Sequence, residues 1–322
     1  GATVTAFNAK LNGRVSDLAL VGNRLYAIGF FGKSRTVALG GLGAFDTTTG
    51  VADTRLLLPL ATTRTGFGVR TIDVDRGATR MVIGGNFTSV GGVARDQVAV
   101  IDLSTSPASV RADWNTRWFD FTDRSRTVST ITTYVRDIDL SDDGTYFVVG
   151  TTWYYPGNGD SLSRWSVSAT GADIAPTWAR FTGGDTITKL TIAPNGVVYV
   201  GGHFRGYSSR PEALSGPTAG AVTLFGLGAI DSANGMPYQW APTRQRGYGV
   251  LAMVVTSTGD LLIGHDTNSV GGETRQRLAK FPLVGGRTTL RLSAPTLPID
   301  VTVVNGTATV RNFNGSGVTA ST

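Results

Sequence analysis

A chain of 322 residues is long enough to bury a large core, and 43 glycines with abundant Thr and Val describe many short strands joined by tight turns, with helices scarce. The absence of cysteine excludes disulfides, thiolate-ligated zinc or iron–sulfur centres and a thiol nucleophile. The net charge of +6 is spread along the chain without a run of like charges, which argues against nucleic acid as a partner. No stretch of ~18 apolar residues is available for membrane insertion. The chain has four lysines and 25 arginines, a bias that reflects a GC-rich genome more readily than a function. Gly1 stands where Met is usual, which suggests a processed or excised chain and a removed export signal.

In chain order, the Phe7-containing segment 6–10 reads as an outer strand that lacks its own first three. A unit then recurs five times, with first strands starting at Val15, Val69, Val135, Ile187 and Val250. Second strands follow and end at Gly29, Gly84, Gly150, Gly201 and Gly264, spaced 55, 66, 51 and 63 residues apart. Between first and second strands lie Gly22-Asn23, Asp143-Gly144, Asn195-Gly196 and Thr258-Gly259-Asp260, turn residues that tolerate positive φ and predict hairpins. Third strands fall at 41–46, 98–102, 226–231 and 278–281; Gly-Leu-Gly-Ala-Phe-Asp and Gly-Leu-Gly-Ala-Ile-Asp differ at one position across some 185 residues. Trp114, Trp178 and Trp240 each open a predicted fourth strand. The segment 299–313, with Asn305-Gly306 at its turn, resembles a weak hairpin, and 317–322 a third strand.

Four strands per repeat, in sheets too thin to cover their own faces, predict an all-β fold, a β-propeller of four-stranded blades. Six blades are expected, five clear and a degenerate sixth built from both termini, against five blades with a C-terminal ribbon. Residues 1–322 then form one domain, with 286–322 the degenerate sixth blade or an accessory segment.

The run 82–92, Val-Ile-Gly-Gly-Asn-Phe-Thr-Ser-Val-Gly-Gly, is echoed by Val200-Gly-Gly-His-Phe204 and Asn268-Ser-Val-Gly-Gly272. It resembles the repeat of the delta-60-type β-propeller proteins over about residues 1–285. The resemblance implies a secreted or cell-surface actinobacterial protein, often one part of a larger multidomain chain, and it supplies no catalytic residues. The third unit departs from the pattern with Gly150-Thr-Thr-Trp-Tyr-Tyr155.

That departure holds the strongest candidate for binding. Trp153, Tyr154 and Tyr155 cannot all enter the core from one short segment, and with Asn158 and Asp160 they suit the faces and hydroxyls of a glycan, or a protein partner. The alternative is that they plug the gap between blades. The insertion 207–222, beginning at Tyr207, is a second candidate loop. His203 follows a second-strand glycine, as Asn86 does in its unit, and the two are expected on one face, as ligand contacts or as polar turn caps. His265 and Asp266 form a weaker metal candidate. Asp17, Asp73, Asp137 and Asp139 fall on first strands, where carboxylates could hold Ca²⁺ or pair with arginines; Asp73 and Asp139 are the metal candidates among them. Arg95 and Arg275 follow equivalent Gly-Gly pairs, which points to structural salt bridges or caps. No hydrolase elbow, zinc-protease motif, phosphate loop or dinucleotide fingerprint occurs. The expected function is a non-catalytic binding or adhesion module for a glycan or protein. A polysaccharide-active enzyme working at a central pocket is the alternative, and a structural spacer in a larger surface protein the third.

Overall fold

The structure, a computed structural model, describes residues 6–63, 69–119, 134–152, 158–209, 216–285, 289–290 and 292–294, and the backbone of strands within 299–321. Among the described residues there is no helix, and every named sheet is antiparallel. The chain forms two compact units: Gly1–Phe121 with Tyr134–Val148 and Trp165–Ala175, and Thr122–Thr133 with Val149–Arg164 and Pro176–Thr322.

The first unit holds a sheet of Arg14–Val21, Arg24–Phe30 and Leu42–Asp46, and a second of Val69–Val74, Arg80–Gly85, Val98–Asp102 and Ser109–Val110. Their middle strands are near-continuous apolar runs because both faces are covered. Ile28, Leu42 and Leu60 meet Ile72, Met81 and Ile83 in one core. A first strand is the edge of its sheet and carries unpaired amides, so a neighbour must satisfy them. Asp17 accepts the Ile72 N–H at 3.1 Å, the Thr71 hydroxyl accepts that of Ile138 at 3.3 Å, and Asp73 accepts that of Leu140 at 2.7 Å. Side chains of one sheet thus cap the edge of the next.

The third sheet, of Tyr134–Leu140, Tyr146–Thr152, Ser161–Ser166 and Trp178–Phe181, is divided between the units. The second unit adds a sheet of Ile187–Ile192, Val197–Gly202 and Leu227–Asp231, and one of Val250–Val255, Leu261–His265 and Leu278–Phe281. The predicted C-terminal hairpin and third strand are present as a sheet of Ile299–Val304, Thr307–Asn312 and Gly317–Ser321.

Of the three tryptophans expected to open fourth strands, only Trp178 does. Trp114 makes an isolated parallel bridge to Gly171, and Trp240 lies in no strand. In the fourth sheet the outer position shrinks to one bridge, Ile230 with Pro237, where proline has no N–H to continue a ladder. The rings act as packing anchors instead. Trp240 stands edge-on to Tyr199 at 5.6 Å and Phe281 at 5.2 Å, and Trp114 lies 5.6 Å from Phe147. Segment 6–10, expected as an outer strand, is not one either; Phe7 packs against the cluster holding Phe45, and the Asn8 N–H donates to the Thr49 carbonyl.

Register explains the repeated glycine and shifts one copy of it. Gly84 pairs with Thr71, Gly201 with Lys189 and Gly264 with Ala252, each just past a bulge in the first strand. In the first sheet that place belongs to Ile28, opposite Asp17, and Gly29 sits one residue further, opposite Val15. A Cβ on Gly84 would meet Val135 Cγ1 at 2.6 Å, on Gly150 Ile187 Cγ2 at 2.7 Å, and on Gly201 Val250 Cβ at 2.5 Å. The glycine is therefore where the next first strand comes closest. The Gly-Gly of the resemblance motif has a different cause: Gly91 and Gly92, at φ 55° and 79°, join Ser89–Val90 to Val93–Ala94 in a two-residue hairpin that needs positive φ twice.

Candidate binding site

The side-chain cluster that stands out lies in the second unit, at the exit of Val197–Gly202. His203 leaves that strand with its N–H on the Thr186 carbonyl at 2.9 Å, beside Asp185. Its Nδ1 contacts the Gly247 carbonyl, so Nδ1 carries the hydrogen and Nε2 is left as an acceptor. Arg246 fills that acceptor, with Nε at 3.0 Å and Nη2 at 2.8 Å. The same Nη2 reaches Asp185 Oδ1 at 3.2 Å, while Arg205 Nε donates to Asp185 Oδ2 at 3.0 Å. Asp185 is the buried pivot, its side chain 8% exposed, between guanidiniums that are 51% (Arg246) and 37% (Arg205) exposed.

The loop that carries Arg246 is held from beneath. Arg244, its side chain 2% exposed, bridges Asp266 at 2.9 Å and the Gly202 carbonyl at 2.8 Å. Asp266 also accepts the N–H groups of Tyr248 and Gly249. Burial pushes its carboxyl up, but those amides and the Arg244 guanidinium together hold it below the usual carboxylate range. Gly247 has no room for a side chain, since a Cβ there would fall 2.3 Å from Asp266 Oδ2. The outcome is an Arg246-Gly247-Tyr248 tip with Tyr248 57% exposed.

Trp153, Tyr154 and Tyr155 lie outside the described residues. The residues on either side of their segment are tied to the stretch that carries Asp185. Thr152 Oγ1 is 2.5 Å from Thr186 Oγ1, and the Asp160 carbonyl accepts the Thr182 N–H at 2.9 Å and hydroxyl at 2.8 Å. Asp160, at φ 49°, and Asn158, whose carbonyl accepts the Ser161 hydroxyl at 2.6 Å, shape the return of the chain.

Other expected site residues are placed elsewhere. Tyr207 is fully buried in the ribbon Gly206–Tyr207, its hydroxyl without a partner among the described residues and its pKa driven up by burial, so a ligand on the surface does not reach it. Asn86 is 2% exposed and belongs to the first unit, whereas His203 belongs to the second. His265 and Asp266 turn to different partners: His265 Nδ1 lies 2.9 Å from Thr267 Oγ1, and burial, then Arg244, lowers its pKa and keeps it neutral. Asp73 and Asp139 do meet, through a shared hydrogen bond. Burial, with the Asp17 charge adding to it, raises the Asp73 carboxyl, and its oxygens accept the Val74 and Leu140 amides. Among the described residues no group of three or more His, Asp or Glu is arranged to hold a metal ion. Arg95 and Arg275 do cap and bridge: Arg95 donates to the carbonyls of Ala94, Arg111 and Ala112, and Arg275 pairs with Glu273.

Asp185, Arg205, Arg246 and Tyr248 were not legible as site residues, since Asp185 and Arg246 are 61 residues apart. The available signal was local, an Arg-x-Arg-Gly-Tyr loop just before a first strand.

No protein-family model and no curated protein matches the chain. Among solved structures it is similar to the β-propeller domain of Myceliophteria thermophila Cps50 (Swd1), at 10% identity over 96% of this chain and 84% of that one, with a TM-score of 0.43.

Proposed function

We propose that the protein is a non-catalytic binding module of the delta-60-type β-propeller kind, acting at the cell surface or after secretion. Its ligand is a glycan, gripped at the Arg246–Tyr248 tip with Arg205 and the aromatic segment 153–155. The observation that carries this reading is the setting of His203: its one acceptor nitrogen is occupied by Arg246, which leaves that ring no open acceptor among the described residues, while Arg246 and Tyr248 face solvent. A planar guanidinium beside an exposed phenol ring offers hydrogen bonds to hydroxyls or carboxylates and an apolar face to a sugar ring. Thr152 and Asp160, on either side of the Trp153-containing segment, are hydrogen-bonded to Thr186 and Thr182 on the stretch that carries Asp185, which supports including that segment in the proposal.

The six-blade arrangement belongs to the same proposal. In the first sheet Leu18 and Leu20 are 52% and 64% exposed, and in the fifth Val254 and Leu278 are 54% and 63% exposed. Each of these sheets keeps an apolar face of the kind that a neighbouring blade covers.

A glycan array followed by calorimetry on the best binder tests the function. Arg246→Ala and Tyr248→Ala are each expected to weaken binding about tenfold or more, as is Trp153→Ala. Binding indifferent to all three, or turnover of the bound polysaccharide, refutes the reading; a protein partner captured at the same residues would replace the glycan and keep the surface.

A further inference from the structure

The first unit contains a cavity of about 310 Å³, remote in sequence from the His203 cluster, whose wall is built from the turn at Val21–Arg24, from Tyr26, and from the stretch around Asp53–Leu56. Leu56, Leu103 and Ala108 make part of that wall apolar. Its charged members are Arg24, Arg55 and Asp53, which leaves a surplus of one positive charge. Asp53 serves both guanidiniums: Arg24 through Nη1, and Arg55 through Nε and Nη2 at 3.1 and 2.9 Å. Asp46 and Asp75 stand outside the wall, with their carboxylates turned to the amides of Thr48 and Thr49 and of Thr79 and Arg80. Among the described residues the Arg24 side chain donates only to Asp53, so its Nε and Nη2 hydrogens are unspent.

The second observation is Tyr26. The residue is 4% exposed and lines the cavity, yet its hydroxyl makes no hydrogen bond among the described residues. That hydroxyl opens on the cavity and is not sealed from water, so a ligand reaches it by displacing solvent. An unspent guanidinium edge, a waiting hydroxyl and an apolar floor in one small cavity form a matched set. We infer that this cavity binds a small carboxylate whose body carries hydroxyl groups, the carboxylate on the Arg24 fork and a hydroxyl on Tyr26. One open guanidinium edge, with Asp46 acting on Arg24 and Asp75 on Tyr26, suits a singly charged carboxylate better than a doubly charged phosphate, and the planar fork matches its two oxygens. The volume, at the lower end of ligand pockets, admits one sugar acid rather than a chain.

The test is titration of the full chain with D-glucuronate, D-glucose and inorganic phosphate at constant ionic strength, followed by amide chemical shifts and calorimetry. Glucuronate should saturate with shifts at Asn23, Arg24 and Arg55, and glucose, the same ring without the carboxylate, should not. Arg24→Gln should weaken glucuronate about tenfold, the effect of one charge-assisted hydrogen bond, and Tyr26→Phe should weaken it several-fold with the ring packing kept. If Arg24→Gln fails to fold, Tyr26→Phe and Arg55→Gln carry the same test. Equal binding of glucose or phosphate, affinity unchanged in the variants, or shifts confined to residues outside the cavity would overturn the assignment. Failure here leaves the Arg246–Tyr248 surface untouched, because the array result there depends on neither Arg24 nor Tyr26.

Discussion

Replacing Gly201 with Ala probes the contact on which the packing of successive sheets depends. The new Cβ would sit 2.5 Å from Val250 Cβ and Cγ2 and 3.1 Å from Met253 Cε, and Val250 is fully buried. Ordinary contact between carbons begins near ~3.5 Å, so the strand Val250–Val255 must retreat by about 1 Å or the new methyl must be crushed. Overpacking of this kind costs roughly 1–3 kcal/mol, and the conformational freedom lost by the unfolded chain returns roughly 0.5–1 kcal/mol. The expected net loss is about 1–2 kcal/mol. Gly264→Ala is the control: it occupies the same register position, but the nearest atom to its Cβ is Ala252 Cβ at 3.5 Å, within its own sheet. It should be neutral, or stabilising by up to about 1 kcal/mol. Urea unfolding followed by tryptophan fluorescence measures both, and Val250→Ala on the Gly201→Ala background should recover about 1 kcal/mol relative to additivity. Equal effects at the two glycines, or strict additivity with Val250→Ala, would refute the argument that this glycine exists to admit the next strand.

The Asp73 carboxyl is raised by burial, so its contribution to stability is present in full below the unfolded value near ~3.9 and is lost as pH climbs through the native value. Asp73→Asn removes the charge and keeps an acceptor for the Leu140 amide but loses the one that serves Val74, so its effect on the melting temperature should be more favourable at pH 8 than at pH 4; an effect that does not change with pH would contradict the linkage. Arg95→Ala strips a buried guanidinium from three carbonyls and should cost about 2–4 kcal/mol in chemical unfolding, whereas Arg275→Ala, at the same place in its repeat but 42% exposed, should change stability by less than about 0.5 kcal/mol.

What could be read from the residues alone was whatever depends on neighbours along the chain. Turn glycines such as Gly144 and Gly196, at φ 68° and 82°, follow from the local demand for positive φ in a hairpin. The repeated apolar strands follow from burial on both faces, and the large aromatic side chains that recur between them had to be buried somewhere. Residues 120–133 and 153–157, which include the aromatic triplet, are outside the described residues, and the expectation placed there stands as a proposal.

Other features were set by packing between segments and left no mark in spacing. Ile28 rather than Gly29 fills the glycine place of the first sheet: the same bulge occurs there as in the other sheets, but Gly29 pairs with Val15 as Gly85 pairs with Val69, and which residue faces the bulge is a matter of strand pairing that spacing does not show. Tyr207 went inward although its insertion read as surface, since the ribbon it belongs to buries that side of the chain. The Asp185, His203 and Arg246 junction exists only because hydrogen-bonded loops from two successive sheets meet there. Hydrogen bonds and excluded volume act over a few ångströms of space, and spatial proximity between segments sixty residues apart is a property of the folded chain.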